Sequence, residues 1–371
     1  MFQAIVDPMD TKHLRSLAGK RIAVGMSGGV DSSTVLALLA EAGADVMGIT
    51  MKIWRPGASN LALAENTCYG PGKEGSIAAS AAICASLGVP YRVIDLAKEY
   101  EERVIDYFKR EYRSGRTPNP CVVCNRDIKF GFLLEKARAE GFDFDYFATG
   151  HYARIESRNG IPMLRRAVVE AKDQSYFMFR LSPATLASVI FPLGSLDKSS
   201  VREEARRLGL SVAAKTESQD FIAGGYGTLF GEEAPGDIVD ESGTVVGRHR
   251  GIVHYTIGQR RGLGISTGPE ALYVKALDAV ANRVIVAHDE ALFRTVVEGD
   301  DAVLHDPSLE GTAFEAFVRI RQNHKPARST VQVSGSEAVM RFAEPQRAAA
   351  PGQSAVFYDA DGFVLGGCAI R

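Results

Sequence analysis

Apolar positions along this chain follow two patterns, and the change comes near residue 222. Before it, short apolar runs alternate with stretches of helical spacing. Strands are predicted at Arg21–Met26, Val46–Trp54, Tyr91–Leu96 and Tyr146–Tyr152. Helices are predicted at Ser32–Leu39, Ser76–Leu87, Glu99–Tyr112, Ile128–Ala139 and Arg202–Leu208. Such alternation predicts an α/β fold with a doubly wound parallel sheet. Past residue 222 come short alternating runs divided by glycine: Asp237–Val239, Thr244–Gly247, Leu272–Leu277, Arg283–Ala287, Phe314–Ile320, Ser329–Val333 and Ser354–Tyr358. Regular strands with turn signals predict one or two β-barrels. The expected organisation is a leader over 1–20, an α/β domain over 21–221, a central β-rich domain over 222–292 and a C-terminal β-barrel over 293–371.

The first strand runs directly into Ser27-Gly28-Gly29-Val30-Asp31-Ser32-Ser33 and then into a helix. Strand, glycine turn and helix form the architecture of a phosphate site. Adjacent glycines let a ligand approach the backbone, and the free N–H groups at the helix start attract an anion. Walker A and GxGxxG signatures are both absent. An aspartate beside phosphates implies an intervening cation, so the loop points to a nucleotide with Mg²⁺. An ordinary β-turn-α connection also tolerates two glycines and some serines, but the full string after a strand favours the site. Met51, towards the carboxyl edge of the second strand, fits either a base contact or core filling.

With 371 residues, 46% hydrophobic and 24% charged, the chain reads as a soluble protein of two or three domains. No apolar run reaches the length of a membrane span, and residues 1–20 lack a signal peptide's core, so a cytoplasmic location is expected. A net charge of −2 argues against indiscriminate coating of nucleic acid and leaves room for a local basic face. Gly258–Gly264 (GQRRGLG) and the cluster Arg319, Arg321, His324, Lys325 and Arg328 are candidates for one.

Five cysteines do not look like a secreted disulfide framework. Cys84, on a predicted apolar helix face, reads as core. Cys68 falls in a stretch rich in Gly, Pro and Asn, unusual for a residue type that is generally buried. Cys121 and Cys124 form a CxxC after Pro118-Asn119-Pro120, flanked by Lys109, Arg110, Arg113, Arg116, Arg126 and Lys129. Those basic residues suit a solvated helix surface, but they also favour a thiolate and attract a polyanion. One pair is half a zinc site. A thioredoxin-type pair sits at a helix start after a strand, which the two prolines do not suggest. The pair is read as reactive sulfur or as cluster ligands.

The glycine loop resembles the PP-loop of ATP pyrophosphatases, which cut ATP between the α and β phosphates. GMSGGVDSS, MKIW, CYGP, GRTPNPCVVCN, KFG, ATGHY, KDQSYF, GQRRGLGI and LGGCAIR, in order, resemble the tRNA-specific 2-thiouridylases (MnmA/TrmU) over nearly the whole chain after residue 20. The resemblance implies a HUP-like N-terminal domain and an enzyme that adenylates O2 of the wobble uridine in tRNAs for Lys, Glu and Gln, then places sulfur on C2. ATP becomes AMP and pyrophosphate. It further implies that Gly25, Met26, Ser27, Gly28, Gly29, Val30, Asp31, Ser32 and Ser33 hold ATP and Mg²⁺, and that Met51 and Gly150 contact adenosine. Asn119, Pro120 and Cys121 would meet the target base, and Cys124 would be the catalytic thiol. Lys172, Asp173, Gln174, Arg321 and Gln322 would touch tRNA, and a sulfur donor or free sulfide would act upstream.

Two departures from the family pattern matter. Many members carry Asp where this chain has Cys121, and a persulfide-bearing cysteine in a downstream Ile-Cys-Phe. Here Glu217-Ser218-Gln219-Asp220 runs straight into Phe221-Ile222. In one scheme Cys124 bears a persulfide that Cys121 resolves. In the other, Cys68, Cys121 and Cys124 ligate a [4Fe–4S] cluster with a labile sulfide, and the odd placement of Cys68 favours it slightly. The rival functions are an amide-forming ligase on the same nucleotide domain and a non-catalytic tRNA-binding factor. Neither needs the cysteine pair together with an intact Asp31.

Overall fold

The computed structural model describes residues 14–55, 67–215, 220–222, 226–265 and 270–371. The leader up to residue 13, residues 56–66 and the Glu217, Ser218 and Gln219 segment lie outside the described residues. The chain forms two compact units. Met1–Tyr100 and Asn125–Ala223 make the first, and Glu101–Cys124 and Gly224–Arg371 the second.

In the first unit the strands are β1 (Arg21–Gly25), β2 (Asp45–Lys52), β3 (Thr67–Tyr69), β4 (Tyr91–Asp95), β5 (Tyr146–Thr149), β6 (Arg154–Arg158), β7 (Ile161–Arg165), β8 (Val189–Ile190) and β9 (Asp220–Ile222). Five of them form the sheet β4-β2-β1-β5-β8, in which every neighbouring pair is parallel. The predicted doubly wound α/β sheet is therefore present. The chain builds outward from β1 through β2 to β4, then returns to the other side of β1 with β5. That reversal leaves a crevice beyond the carboxyl ends of β1 and β5, where ligands of such sheets bind. The Ser-Gly-Gly loop follows one of these strands and Gly150-His151 the other.

Helix α1 (Val30–Glu41) and helix α2 (Lys73–Ser86) cover the sheet, and α3 (Lys198–Arg207) lies along α1. Val35, Leu38 and Leu39 of α1 share one buried cluster with Val201 and Ala205 of α3. The helices are pinned at both ends. Lys198 meets Asp31 at their N-terminal ends, and Arg207 meets Glu41 at their C-terminal ends. The two helices therefore run in parallel, and both N-termini arrive at the same crevice.

In the second unit, β10 (Gly236–Val239), β11 (Val245–His249), β12 (Tyr273–Asp278) and β13 (Arg283–Ala287) form a sheet ordered β11-β10-β13-β12. β14 (Phe293–Leu304), β15 (Ala313–Arg319), β16 (Ala327–Ser334), β17 (Glu337–Arg347), β18 (Ser354–Tyr358) and β19 (Val364–Ile370) close a barrel ordered β14-β17-β16-β15-β18-β19. Its interior is filled by Val318, Ile320, Val331, Met340, Phe357 and Cys368, among others. Residues 101–124 pack with this unit. Phe108 and Tyr112 are buried, with ring centroids 5.2 and 5.9 Å from Tyr226 and Phe230 respectively.

Two expectations change. A helix was expected to start at Ile128, but the chain is already helical at Pro120–Val123 and is wound as π-helix over Cys124–Phe132. Asn119 caps the start, accepting from Val122 N at 3.4 Å, and Pro120 takes the first helical position, where its missing N–H costs nothing. Cys68 is not in a loop. It is the middle residue of β3, which pairs with β9, and it is exposed between buried Thr67 and Tyr69.

Candidate active site

The loop after β1 is held by its own hydroxyls. Ser27 N donates to Ser32 Oγ at 3.1 Å, while Ser33 Oγ and Thr34 Oγ1 donate to the carbonyls of Gly29 and Val30 at 2.7 and 2.8 Å. Gly28 has φ +71°, and a Cβ there would lie 2.5 Å from the Ser76 carbonyl oxygen. A side chain at this position is excluded both by backbone conformation and by space. Gly29 is the N-cap of α1 with no side-chain cap, so the first-turn N–H groups are left for an anion. Gly150, following β5, lies against the start of α1. A Cβ on it would stand 2.8 Å from Asp31 Cβ and 2.9 Å from Ser32 N. Gly25 and Met26 end the strand, and Thr50 of β2 donates to the Met26 carbonyl at 3.0 Å. Met51 is half-buried at the same edge.

Asp31 is the electrostatic centre. Both its carboxylate oxygens accept from the Lys198 ammonium, at 2.7 and 2.8 Å, and Tyr152 Oη donates to Oδ1 at 2.8 Å. A second ammonium, from Lys215, donates to the Gly28 carbonyl at 3.0 Å. Sequence reading did not single out either lysine. One ammonium bridging two carboxylate oxygens is a stand-in cation, so Asp31 fits a divalent ion brought by a nucleotide, which needs few protein ligands. Lys198 and Lys215 add positive charge where phosphates would lie.

At the same strand end, His151 lies between Lys129 Nζ, 3.2 Å from its Nε2, and Thr149 Oγ1, 2.7 Å from its Nδ1. Phe130 and Phe191 flank the ring at 5.9 and 5.8 Å. Burial, then the Lys129 charge, holds its pKa well below the usual imidazole value. The ring is therefore neutral, and Nε2 accepts from the ammonium. The sign follows: an unfolded chain binds a proton that the folded one does not, so stability present above about pH 6.5 is lost as pH falls below it. His151→Gln is expected to show a shallower acid-side fall in Tm between pH 7 and 5. An unchanged slope in thermal melts would refute this.

The cysteine loop belongs to the second unit and is fastened to the barrel. Thr117 N donates to the Pro351 carbonyl at 2.7 Å, and Gln353 Nε2 donates to the Thr117 carbonyl at 3.0 Å. Arg116 reaches the Ile370 carbonyl at 3.1 Å and pairs with Glu111 at 2.9 Å. Gly352 has φ +88°, and a Cβ on it would press to 3.0 Å on the Thr117 backbone. Asn119, Pro120 and Cys121 follow at once. Cys121 and Cys124 are three residues apart on one helical turn and so share a face. Both are partly exposed and neither is in a disulfide.

The residues expected at tRNA divide by burial. Lys172 is half-buried, and Arg321 is exposed beside half-buried Gln322. The loop holding that pair is folded by buried Arg319, which donates to the carbonyls of Gln322 and His324. Asp173 is fully buried, accepting from Ala167 N at 3.0 Å and Ser175 Oγ at 3.0 Å. That placement corrects its expected contact with RNA: the carboxylate organises the turn beneath its neighbours. Gln174 Oε1 accepts from Tyr152 N at 2.9 Å, which fixes the segment carrying the tyrosine bound to Asp31.

For the expected cluster, no group of three His, Cys, Asp or Glu side chains gathers as a metal site among the described residues. The alternation along β3 turns the Cys68 thiol outward, where it is exposed. No helix among the described residues is long and apolar enough to cross a membrane.

A doubly wound sheet whose switch point carries a glycine-serine loop, one aspartate and two lysines defines a nucleotide-binding α/β fold. Residues 20–223 match the family described as tRNA methyl transferase HUP domain. Residues 228–288 match the tRNA methyl transferase PRC-barrel domain, and 296–370 the aminomethyltransferase beta-barrel domain. The chain is 45% identical over 373 residues to the tRNA-specific 2-thiouridylase MnmA of Roseiflexus castenholzii, covering 94% of this chain and 98% of that one. With the protein of the same name from Magnetococcus marinus it shares 42% over 358 residues, again covering 94% and 98%. The corresponding protein of Lachnoclostridium phytofermentans is 39% identical over 364 residues, covering 95% and 100%. This chain belongs to the MnmA family of tRNA-specific 2-thiouridylases.

Proposed function

We propose that this chain is a tRNA 2-thiouridylase that spends ATP to replace O2 of a wobble uridine, in tRNAs for Lys, Glu and Gln, with sulfur. The observation that carries the reading is family membership along 94% of the chain, joined to a phosphate loop centred on Asp31. A uracil carbonyl oxygen is a poor leaving group. Attack of O2 on the α-phosphorus releases pyrophosphate and leaves an adenylated base. Sulfur then adds at C2, and AMP departs with the former O2.

In this reading Gly25 to Ser33 bind the phosphates, Asp31 would hold Mg²⁺, and the cation would screen the phosphate charge. Met51 and Gly150 border the adenosine side. Asn119, Pro120 and Cys121 meet the base, with Lys172, Gln174, Arg321 and Gln322 towards the rest of the tRNA. Cys124 carries the incoming sulfur as a persulfide received from a donor. Its terminal sulfur bonds C2, and the Cys121 thiolate then attacks the Cys124 sulfur, freeing 2-thiouridine and leaving a Cys121–Cys124 disulfide. An external thiol reductant reopens that disulfide each turn. The shared helix face of the two cysteines supports this scheme.

The alternative carrier is an iron–sulfur cluster on Cys68, Cys121 and Cys124, favoured by the exposure of Cys68. Anaerobic purification with iron and sulfide analysis separates the two. The persulfide scheme expects no iron and an active Cys68→Ala, whereas stoichiometric iron with an inactive variant would replace it. Mass spectrometry of tRNA nucleosides from cells lacking this chain tests the function itself. 2-Thiouridine should vanish at the wobble position, and its persistence would refute the reading.

A further inference from the structure

We propose that Lys198 is a placeholder for the divalent cation at Asp31 which, once displaced, becomes a ligand of the nucleotide phosphates. The inference deepens the ATP-dependent reading above and rests on it.

Lys198 and Asp31 form a pair with chelating geometry, since one ammonium contacts both oxygens at 2.7 and 2.8 Å. A divalent ion held by this carboxylate would claim the same oxygens. The pair is shielded, with side-chain exposures of 15% for Lys198 and 27% for Asp31, so neither charge is well served by water alone. In the nucleotide-free protein each neutralises the other.

Arrival of a nucleotide with its cation changes the partners without stranding either charge. The cation takes Asp31, and the polyphosphate offers the released ammonium a new anion. Lys198 is suited to that exchange. Its backbone is fixed at the first position of α3, where Asp197 caps the helix by accepting from Ser200 N at 2.7 Å. At the far end Arg207 holds Glu41 at 2.6 Å, so α3 stays in register with α1 while the four-carbon stem moves. A lysine at a helix start opposes the helix dipole, and a phosphate delivered there removes that conflict. Tyr152 Oη keeps Oδ1 of Asp31 oriented during the exchange. Lys215 differs: its bond to the Gly28 carbonyl supports the loop, leaving Lys198 as the mobile charge.

A purely structural ion pair and a placeholder make opposite predictions for metal binding. The test is Mn²⁺ binding to the full, nucleotide-free chain, followed by electron paramagnetic resonance of free Mn²⁺. Lys198→Met is expected to bind Mn²⁺ about tenfold more tightly than wild type, because the competing ammonium is gone. The same variant should release pyrophosphate about 10²-fold more slowly and show a raised KM for ATP. Lys198→Arg, which keeps a cation on Asp31, should bind Mn²⁺ like wild type. Asp31→Asn should not bind it. Unchanged or weaker Mn²⁺ binding by Lys198→Met overturns the proposal, and Lys198→Gln supplies the same comparison if Met impairs folding.

The metal arm uses no tRNA. Tighter Mn²⁺ binding without 2-thiouridine formation by wild type would sink the functional reading alone. Thiolation by wild type with unchanged Mn²⁺ binding in the variants would sink the placeholder alone.

Discussion

Cys124→Ala is expected to lower 2-thiouridine formation by at least about 10³-fold while tRNA-dependent pyrophosphate release continues. The two halves of the reaction draw on different residues. In the proposed scheme adenylation needs the loop at Gly28 and Gly29 with Asp31, all in the first compact unit, whereas sulfur delivery needs a thiol on the loop bound to the barrel. Alanine removes the sulfur and little else at a partly exposed position, so the adenylated tRNA should form and then hydrolyse. Cys121→Ala should allow sulfur to reach C2 but block its release from Cys124, leaving tRNA covalently attached. Denaturing gels with labelled tRNA, run beside a pyrophosphate assay, read both outcomes. A Cys124→Ala protein that thiolates at the wild-type rate would remove the thiol from the scheme.

Asp31→Asn should reduce pyrophosphate release by about 10²- to 10³-fold and leave tRNA binding intact. Asparagine keeps the size of the side chain and an oxygen for the Tyr152 hydroxyl, now 2.8 Å away, but removes the charge that meets Lys198. Because the pair is shielded, the Asn variant also leaves the Lys198 ammonium without its counter-charge, and some thermal stability should be lost with it. The defect in turnover and metal dependence should therefore be measured well below the lowered melting temperature, where the variant is folded. Retention of the full rate in the Asn variant would show that the carboxylate is not the cation's protein ligand.

The nucleotide loop was legible from the sequence because it is local. An apolar run, two glycines and a helix start lie within a few residues, and each has a conformational reason to be there. Lys198 and Lys215 were not legible, since they reach the loop across 167 and 187 residues through the packing of α3 on α1. One local signal was available: a lysine opening a helix without an acidic residue in its first turn works against the dipole. At the cysteines, Pro118 and Pro120 read as helix breakers, although Asn119 followed by Pro120 is also a capped helix start.

Burial misled at one residue and local structure at another. Asp173 looked like a surface group in a polar triplet and is fully buried by the turn it organises, while Cys68 looked like a loop residue and sits on a strand. In the barrel, β14, β17 and β19 escaped prediction: Glu298-Gly299-Asp300-Asp301 splits the first, Glu344-Pro345 interrupts the alternation of the second, and small residues, Gly366 and Gly367, blur the third.

The most direct measurement incubates the purified chain with unmodified tRNA, ATP, Mg²⁺ and a persulfide donor, and quantifies nucleosides, AMP and pyrophosphate together. Coupled chemistry predicts one 2-thiouridine at the wobble position for each AMP and each pyrophosphate formed, with no pyrophosphate when tRNA is omitted. Pyrophosphate release that ignores tRNA, or tRNA that gains no sulfur, would contradict it.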